Sequence, residues 1–373
     1  MPGVILLAAG GTGGHLFPAE ALARSLVERG WRVHLATDHR AKGYGEDFPA
    51  EEIHIISSAT FSRSPVALVR AGVQMLAGLL AARRLMRRLK PAAAIGFGGY
   101  PTVPPMLAAV RARIPTVIHE QNAVLGRANK FLALRVTTIA TGFAEVGGAK
   151  SFAGKTIETG NPVRAAVRAA AASPYPLRGA DDPFQLVVFG GSQGARFMSE
   201  LLPPAIARLD GGLRSRLSIV QQCRAEDLDR VAALYREIGV AADLQPFFRD
   251  MPRRIAEAHL VVSRAGASTV AELAVIGRPA IMVPLPHALD QDQKANASVL
   301  ARAGGGWMVE QKEMTPERLA DDLAELILHP AQLAAAAAAA KRLGRPDAVE
   351  RLADLVERVA ARQPVVVRQG VPA

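Results

Sequence analysis

The sequence predicts an α/β protein made of two Rossmann-like domains in succession, each a parallel sheet covered by helices. Three observations predict it. Short apolar runs end in glycine-rich loops and are followed by helix-like stretches, the βαβ order of a parallel sheet. The same order restarts after the polar, proline-containing stretch 173–183 (SPYPLRGADDP), which reads as a linker or surface loop. The chain has 373 residues, 50% apolar and 21% charged, enough for two cores and too apolar for wholesale disorder.

Residues 4–9 read as the first strand, ending in Gly10-Gly11-Thr12-Gly13-Gly14-His15. A helix is expected from Pro18 to Arg29, closed by Gly30, and residues 32–37 read as the next strand. Strands at 92–95, 116–119 and 137–140 precede Gly96-Phe97-Gly98-Gly99-Tyr100-Pro101, Glu120-Gln121-Asn122 and Thr141-Gly142-Phe143. In the second series, 185–189 precedes Gly190-Gly191-Ser192-Gln193-Gly194, and 218–221 is a strand. Residues 260–263 precede Arg264-Ala265-Gly266-Ala267-Ser268-Thr269, and 280–283 precedes Pro284-Leu285-Pro286. An alanine-rich helix covers 334–340, Gly344-Arg345-Pro346 breaks it, and a last helix starts at Asp347. There Val349, Leu352, Val356 and Val359 make one apolar stripe.

The net charge is +11, and it is unevenly placed. Residues 1–162 hold 19 Lys+Arg against 10 Asp+Glu, and residues 163–373 hold 26 against 24. No acid lies between Glu52 and Glu120, while Arg63, Arg70, Arg83, Arg84, Arg87, Arg88 and Lys90 alternate with Val66, Leu68, Val69, Val73, Met75, Leu76, Leu79 and Leu80. Such a basic amphipathic stretch suits an anionic lipid surface, and equally suits an ordinary helix with one side on a sheet. Nucleic acid fits less well, because the stretch lacks stacking aromatics. The single Cys223 excludes a disulfide framework and a cysteine-rich zinc site, and points to a reducing compartment. The start MPGVILLAAGG has no basic leader and does not read as a signal peptide. No apolar run approaches the ~20 residues of a membrane span. The protein therefore reads as soluble or peripheral.

Glycine lets a backbone turn tightly and approach a ligand, and the helix N-terminus that follows favours phosphate. Four such loops after strands indicate a nucleotide diphosphate in a cleft between the domains, although each alone is equally a helix cap or tight turn. None fits the dinucleotide fingerprint, since Leu16 stands where its last glycine belongs; Asp38 keeps a ribose-binding acid, and so an oxidoreductase, open as an alternative. Residues 149–156 (AKSFAGKT) nearly spell a phosphate loop, but Ala149 replaces its first glycine and no helix should follow. His15 is placed to accept a proton from a hydroxyl, or else caps the helix or touches phosphate. His119, Glu120 and Gln121 read as polar cleft residues that position substrate, with Asn122 as the direct contact. Glu272 suits a ribose diol or simply the first turn of a helix. Asp290 and Gln293 suit sugar hydroxyls; Asp290-Gln291-Asp292 spells DxD, but no further acid or His lies at metal-ligand spacing, so no metal is expected.

Taken together, GGTGGHLFPA, IGFGGYPTVPP, HEQNAVLGRANK, TGNPVR, VVFGGSQGAR, SRAGASTVAEL and DQDQKANA resemble the successive blocks of the MurG family, over residues 4–361. The resemblance implies a GT-B fold, with two Rossmann-like domains whose parallel sheets face across a cleft. It implies an acceptor and membrane-associating domain at 1–162, a UDP-N-acetylglucosamine-binding donor domain at 163–343, and a helix at 347–362 packing back on the first. It implies transfer of N-acetylglucosamine, with inversion, to the muramyl 4-hydroxyl of undecaprenyl-pyrophosphoryl-N-acetylmuramyl-pentapeptide. It implies no cofactor, and a peripheral location on the cytoplasmic face of the bacterial inner membrane. His15 would be the base. Thr12, Gly13 and Gly14 would face the donor, and Asn122 its sugar. Arg164 and Ser192 would touch the nucleotide, and Phe248 the uracil through its backbone. Ala267, Ser268, Thr269, Val270, Ala271 and Glu272 would carry phosphate and ribose, and Gln293 the sugar. Phe248 is bulkier than the family's usual aliphatic residue. A GT-B enzyme with another acceptor, or a non-catalytic membrane-surface protein, stays as an alternative.

Overall fold

The computed structural model describes residues 3–40, 48–58, 65–179, 181–190, 196–286 and 288–365, with the side chains of 65–69 and 289 not described. Ser192 and the rest of 191–195 therefore lie outside the described residues. The chain divides into two units, Met1–Arg164 with Pro346–Ala373, and Ala165–Arg345.

In the first unit seven parallel strands run in the order β3-β2-β1-β4-β5-β6-β7. They are β1 (Val4–Ala8), β2 (Arg32–Thr37), β3 (Glu52–Ile55), β4 (Ala93–Gly96), β5 (Thr116–Glu120), β6 (Thr138–Thr141) and β7 (Thr156–Glu158). Successive side chains on a strand point to opposite faces, so a sheet covered on both sides needs continuous apolar strands. On one face Ile5, Leu7, Val33 and Leu35 pack under α1 (Gly13–Glu28) and the C-terminal helix, described below. On the other, Leu6, Ala8, Ala36 and Ile139 pack under α2 (Pro65–Leu89), α3 (Val103–Arg111) and α4 (Arg127–Ala133). Gly78 lets α2 come down on the chain after β3; a Cβ there would stand 2.0 Å from the Ser57 carbonyl oxygen.

The second unit repeats the plan in six parallel strands, ordered β10-β9-β8-β11-β12-β13. They are β8 (Phe184–Phe189), β9 (Leu217–Gln222), β10 (Ala241–Gln245), β11 (Leu260–Ser263), β12 (Ala280–Met282) and β13 (Gly306–Met308). The helices are α5 (Ala165–Ala170), α6 (Arg196–Ala207), α7 (Gly211–Arg214), α8 (Leu228–Glu237), α9 (Met251–Glu257), α10 (Ala267–Ile276), α11 (Asp292–Arg302), α12 (Pro316–Leu328) and α13 (Pro330–Leu343). The wholly buried Arg278 ties the linker to this unit, donating to the carbonyls of Pro174 (2.8 Å), Ala256 and Ile276 (3.0 Å).

The last helix, α14 (Ala348–Ala360), belongs to the first unit. Its Val349, Leu352, Val356 and Val359 are all buried, and Arg29 closes the contact with Asp354 and Glu357 at 2.7 Å each. The buried stripe dominates here: each side chain is worth about 2 kcal/mol, against ~0–1 kcal/mol for an exposed ion pair.

Two expectations need correction. Helix α1 begins at Gly13, five residues before Pro18, so Pro18 sits inside it and His15 lies in its first turn. The four strands without a sequence signal, β3, β7, β10 and β13, are the four sheet edges. Edge strands are exposed on one side and need no continuous apolar run.

Candidate active site

Both sheets have the strand order 3-2-1-4, so the connections reverse direction between the first and fourth strands of each. Ligands of open α/β sheets bind outside the carboxyl ends of strands at that point. The four glycine-rich loops follow β1, β4, β8 and β11, the strands that flank the two reversals.

In the first unit the loop after β1 places Thr12 at the N-cap of α1. Its hydroxyl caps no backbone N–H; instead Thr12 Oγ1 and His15 Nδ1 are 2.9 Å apart and share one hydrogen bond. The first turn of α1 holds no acid. Glycines make the bed of the imidazole. A Cβ at Gly10 would lie 3.3 Å from His15 Nδ1, and one at Gly98 would lie 3.3 Å from Nε2. Gly98 and Gly99 also have φ of +89° and +79°, a region that favours glycine. Burial first, and then the charge of Arg40, lower the His15 pKa to about 4, so the imidazole is neutral at pH 7.

Behind this loop lies a knot built on Glu120. Its Oε1 accepts from the backbone N–H and the side-chain amide of Asn122 (3.0 and 3.2 Å). Its Oε2 accepts from Gly126 N–H and Asn129 Nδ2, both 2.9 Å. Burial pushes the Glu120 carboxyl up, and these donors pull it back only in part. His119 Nε2 donates to the Gly160 carbonyl (3.0 Å), and Gln121 Nε2 donates to His119 Nδ1 (3.1 Å). Burial lowers the His119 pKa to about 4. His119, Glu120 and Gln121 are thus interior residues with protein partners, and the expectation that they are cleft residues is corrected; Asn122 is half-buried. Asn129 is the residue that sequence reasoning missed: it joins the Glu120 knot to the His119 carbonyl (3.2 Å) and approaches Gly98. Its place in the block HEQNAVLGRANK was the available signal.

Arg164, at the end of this unit's first segment, lays its guanidinium 5.4 Å from the ring of Phe17 on α1. Asp38 is no ribose acceptor. Its buried carboxylate is taken by Arg40, with Nη2 donating to Oδ2 at 2.6 Å, which removes the support for the dinucleotide alternative. Residues 150–155 form a 3-10 turn that leads into β7 and not into a helix, so the phosphate-loop spelling there has no phosphate-loop structure.

In the second unit α10 starts at Ala267 with Gly266 as its N-cap, with no side-chain cap and no acid in the first turn. The backbone N–H groups of Ala267, Ser268 and Thr269 precede the first helical hydrogen bond, Val270 N–H to the Gly266 carbonyl at 3.0 Å. Val270 is buried, while Ala271 and Glu272 are half-buried on the next turn. The loop before α10 is held from behind. Arg264 donates to the carbonyls of Val283 (3.0 Å) and Pro284 (3.2 Å) and to Gln311 Oε1 (2.7 Å). Gln293 Oε1 accepts from the N–H of Ala265 (3.3 Å) and Leu285 (3.0 Å), and Asn296 Nδ2 donates to the Ala265 carbonyl (3.1 Å). Gln293 therefore braces two loops with its carbonyl, which leaves its amide nitrogen as the group to offer a ligand. Asp290 and Gln291 hold φ of +58° and +53°, a sharp bend before α11. Phe248 is buried beneath the Arg254 guanidinium, 4.4 Å from its ring, so its main chain is the part able to meet a base.

Residues 5–141 match the glycosyltransferase family 28 N-terminal domain and residues 185–352 the family 28 C-terminal domain. The UDP-N-acetylglucosamine--N-acetylmuramyl-(pentapeptide) pyrophosphoryl-undecaprenol N-acetylglucosamine transferase of Methylobacterium nodulans is 61% identical over 361 residues, covering 96% of this chain and 97% of its own. The protein of the same name from Rhizobium etli is 55% identical over 364 residues, 97% of each chain. Among solved structures, Acinetobacter baumannii MurG has a TM-score of 0.79 at 32% identity, with 96% of this chain and 100% of that one covered.

Proposed function

This chain belongs to glycosyltransferase family 28 and, within it, to the MurG family of N-acetylglucosaminyltransferases, and from that premise we propose how its residues divide the reaction. The enzyme moves N-acetylglucosamine from UDP-N-acetylglucosamine to the lipid-linked muramyl-pentapeptide. The observation that carries the division is the neutral His15 imidazole, bedded on glycine at the end of β1.

With its Nδ1–H donated to Thr12 Oγ1, His15 keeps the Nε2 lone pair as proton acceptor. The muramyl 4-hydroxyl oxygen bonds to the anomeric carbon as the bond from that carbon to the diphosphate oxygen breaks. The hydroxyl proton passes to Nε2, UDP leaves, and the configuration inverts. A pKa near 4 makes a poor base, and a bound diphosphate corrects this, because its negative charge favours the imidazolium. Thr12, Gly13 and Gly14 face the donor, with Asn122 on its sugar. The first N–H groups of α10 take a phosphate, as open helix N-termini do. Glu272 accepts from the ribose diol, the Gln293 amide donates to the sugar, and the Phe248 main chain meets uracil. Arg164 and Ser192 complete the nucleotide contacts. The first unit is thus the acceptor domain and the second the donor domain.

Helix α2 meets the membrane in this reading. Val73, Leu76 and Leu80 are 63%, 59% and 45% exposed and follow at helical spacing, so they form one outward stripe. Exposed Arg83, Arg84 and Arg87 continue it, while Ala82, Leu85 and Met86 face the sheet. The stretch is therefore both an ordinary core helix and an apolar, cationic surface. Arg88 is no part of the latter, because it pairs with Glu52 at 3.0 Å. Among the described residues no single helix is long and apolar enough to cross a membrane. The apolar, cationic face of α2 suits peripheral attachment to an anionic surface, here the cytoplasmic face of the inner membrane. The test is transfer of labelled N-acetylglucosamine to undecaprenyl-pyrophosphoryl-N-acetylmuramyl-pentapeptide. Label in the lipid product supports the assignment; donor hydrolysis without lipid product opposes it. For the surface, Arg83, Arg84 and Arg87→Glu should abolish salt-sensitive binding to anionic vesicles.

A further inference from the structure

Away from the glycine loops, towards the N-terminal ends of β2 and β3, three metal-ligating side chains share one face of the sheet. The parallel register pairs His34 with Glu52 and Ala36 with His54, so His34, Glu52 and His54 all point to the side covered by α2. One ligand atom from each lies within 4.8 Å of the other two. We infer that His34, His54 and Glu52 form a binding site for a divalent transition-metal ion of the zinc class.

The geometry between the imidazoles carries the inference. His34 Nδ1 and His54 Nε2 are 3.1 Å apart, and the ring planes differ by 8°. The centroids are 5.3 Å apart, so the rings lie edge to edge in one plane and share a proton. Tetrahedral zinc with its usual Zn–N bonds sets two ligand nitrogens about 3.3 Å apart. An ion in place of the shared proton needs a small widening and a tilt of both rings that brings their lone pairs together on it, off the line between the nitrogens. One outer nitrogen is backed as in metal sites, with Glu51 Oε2 3.4 Å from His34 Nε2; Glu52 Oε1 and the Arg88 guanidinium both lie 3.4 Å from the other, His54 Nδ1, and Glu52 must swing round that ring to ligate. Carboxylates on the far ring nitrogen fix the tautomer and raise ligand basicity. Imidazole and carboxylate together suit zinc, cobalt or nickel better than magnesium or calcium. Glu52 now pairs with Arg88 at 3.0 Å, so the ion competes with that guanidinium for the carboxylate. His34 is buried and Glu52 exposed at the sheet edge, which gives the ion a path in.

The test is calorimetric titration of Zn2+ into the untagged full chain, with Co2+ absorption as a second reporter of a tetrahedral site. The expected result is one ion per chain and visible ligand-field bands. His34→Ala or His54→Ala should remove both signals, and Glu51→Gln should weaken binding about tenfold. Arg88→Ala frees Glu52 and should tighten binding; it and Glu51→Gln alter exposed side chains and keep the test decisive if a histidine variant fails to fold. Absence of Zn2+ binding, binding unchanged in His34→Ala and His54→Ala, or an unaltered affinity in Arg88→Ala would each overturn the inference.

Discussion

The loops at the two strand reversals sit on the same topology and are furnished with opposite chemistry. Behind the first lies a buried acid, Glu120, fed by four N–H donors; behind the second lies a buried guanidinium, Arg264, fed by carbonyl oxygens. The first presents a neutral imidazole seated on glycine. The second presents an uncapped helix N-terminus without acid in its first turn. A shared fold decides where the loops stand, and the residues on them decide what they do. In the function proposed above, one reversal accepts a proton and the other holds an anion.

The sharpest way to break this contrast is His15→Ala. Turnover should fall by about 10²–10⁴, the usual worth of a positioned general base. Steady-state assays with the lipid-linked acceptor measure it, and a loss under tenfold would remove His15 from the chemistry. Next comes Glu120→Gln. The amide must turn a donor towards the N–H of Asn122 or Gly126, leaving one unsatisfied at a cost of about 2 kcal/mol. At ~2–4 °C per kcal/mol, the melting temperature should fall by about 4–8 °C. An unchanged melting temperature would mean that the knot contributes no stability.

Acid should destabilise the first unit through His119. His119 has a folded pKa of about 4 against 6.5 for the free side chain. Below pH 6.5 the unfolded chain takes up a proton that the folded one refuses, so stability is complete above pH 6.5 and is lost as pH falls towards 4. The full loss is about 3 kcal/mol. Denaturant unfolding at pH 7 and pH 5 checks it, and His119→Gln should flatten the slope. A wild-type slope in that variant would assign the acid sensitivity elsewhere.

What the sequence made legible follows the same physics. The inner strands announce themselves as continuous apolar runs because both faces are buried; EIHI, TIE, AADLQ and GWM do not, because each lies at a sheet edge. Pro18 signals a helix start and yet sits in the sixth position of α1. The glycine loops and His15 were legible as motifs. The interior role of His119 and Gln121 was not, since a polar residue after a strand looks alike whether it meets ligand or a neighbouring carbonyl. Asn129 and the His34–His54 pair depend on contacts between distant stretches of chain, which no local pattern records.

The division of labour between the two units is tested most directly by the UDP-N-acetylglucosamine dissociation constant, measured side by side in His15→Ala and Glu272→Ala. The expected result is an affinity within about twofold of the parent for His15→Ala, whose side chain acts in the transition state. Glu272→Ala, which loses hydrogen bonds to a charged group, should weaken binding about tenfold or more. Equal affinities in the two variants would contradict that division of labour.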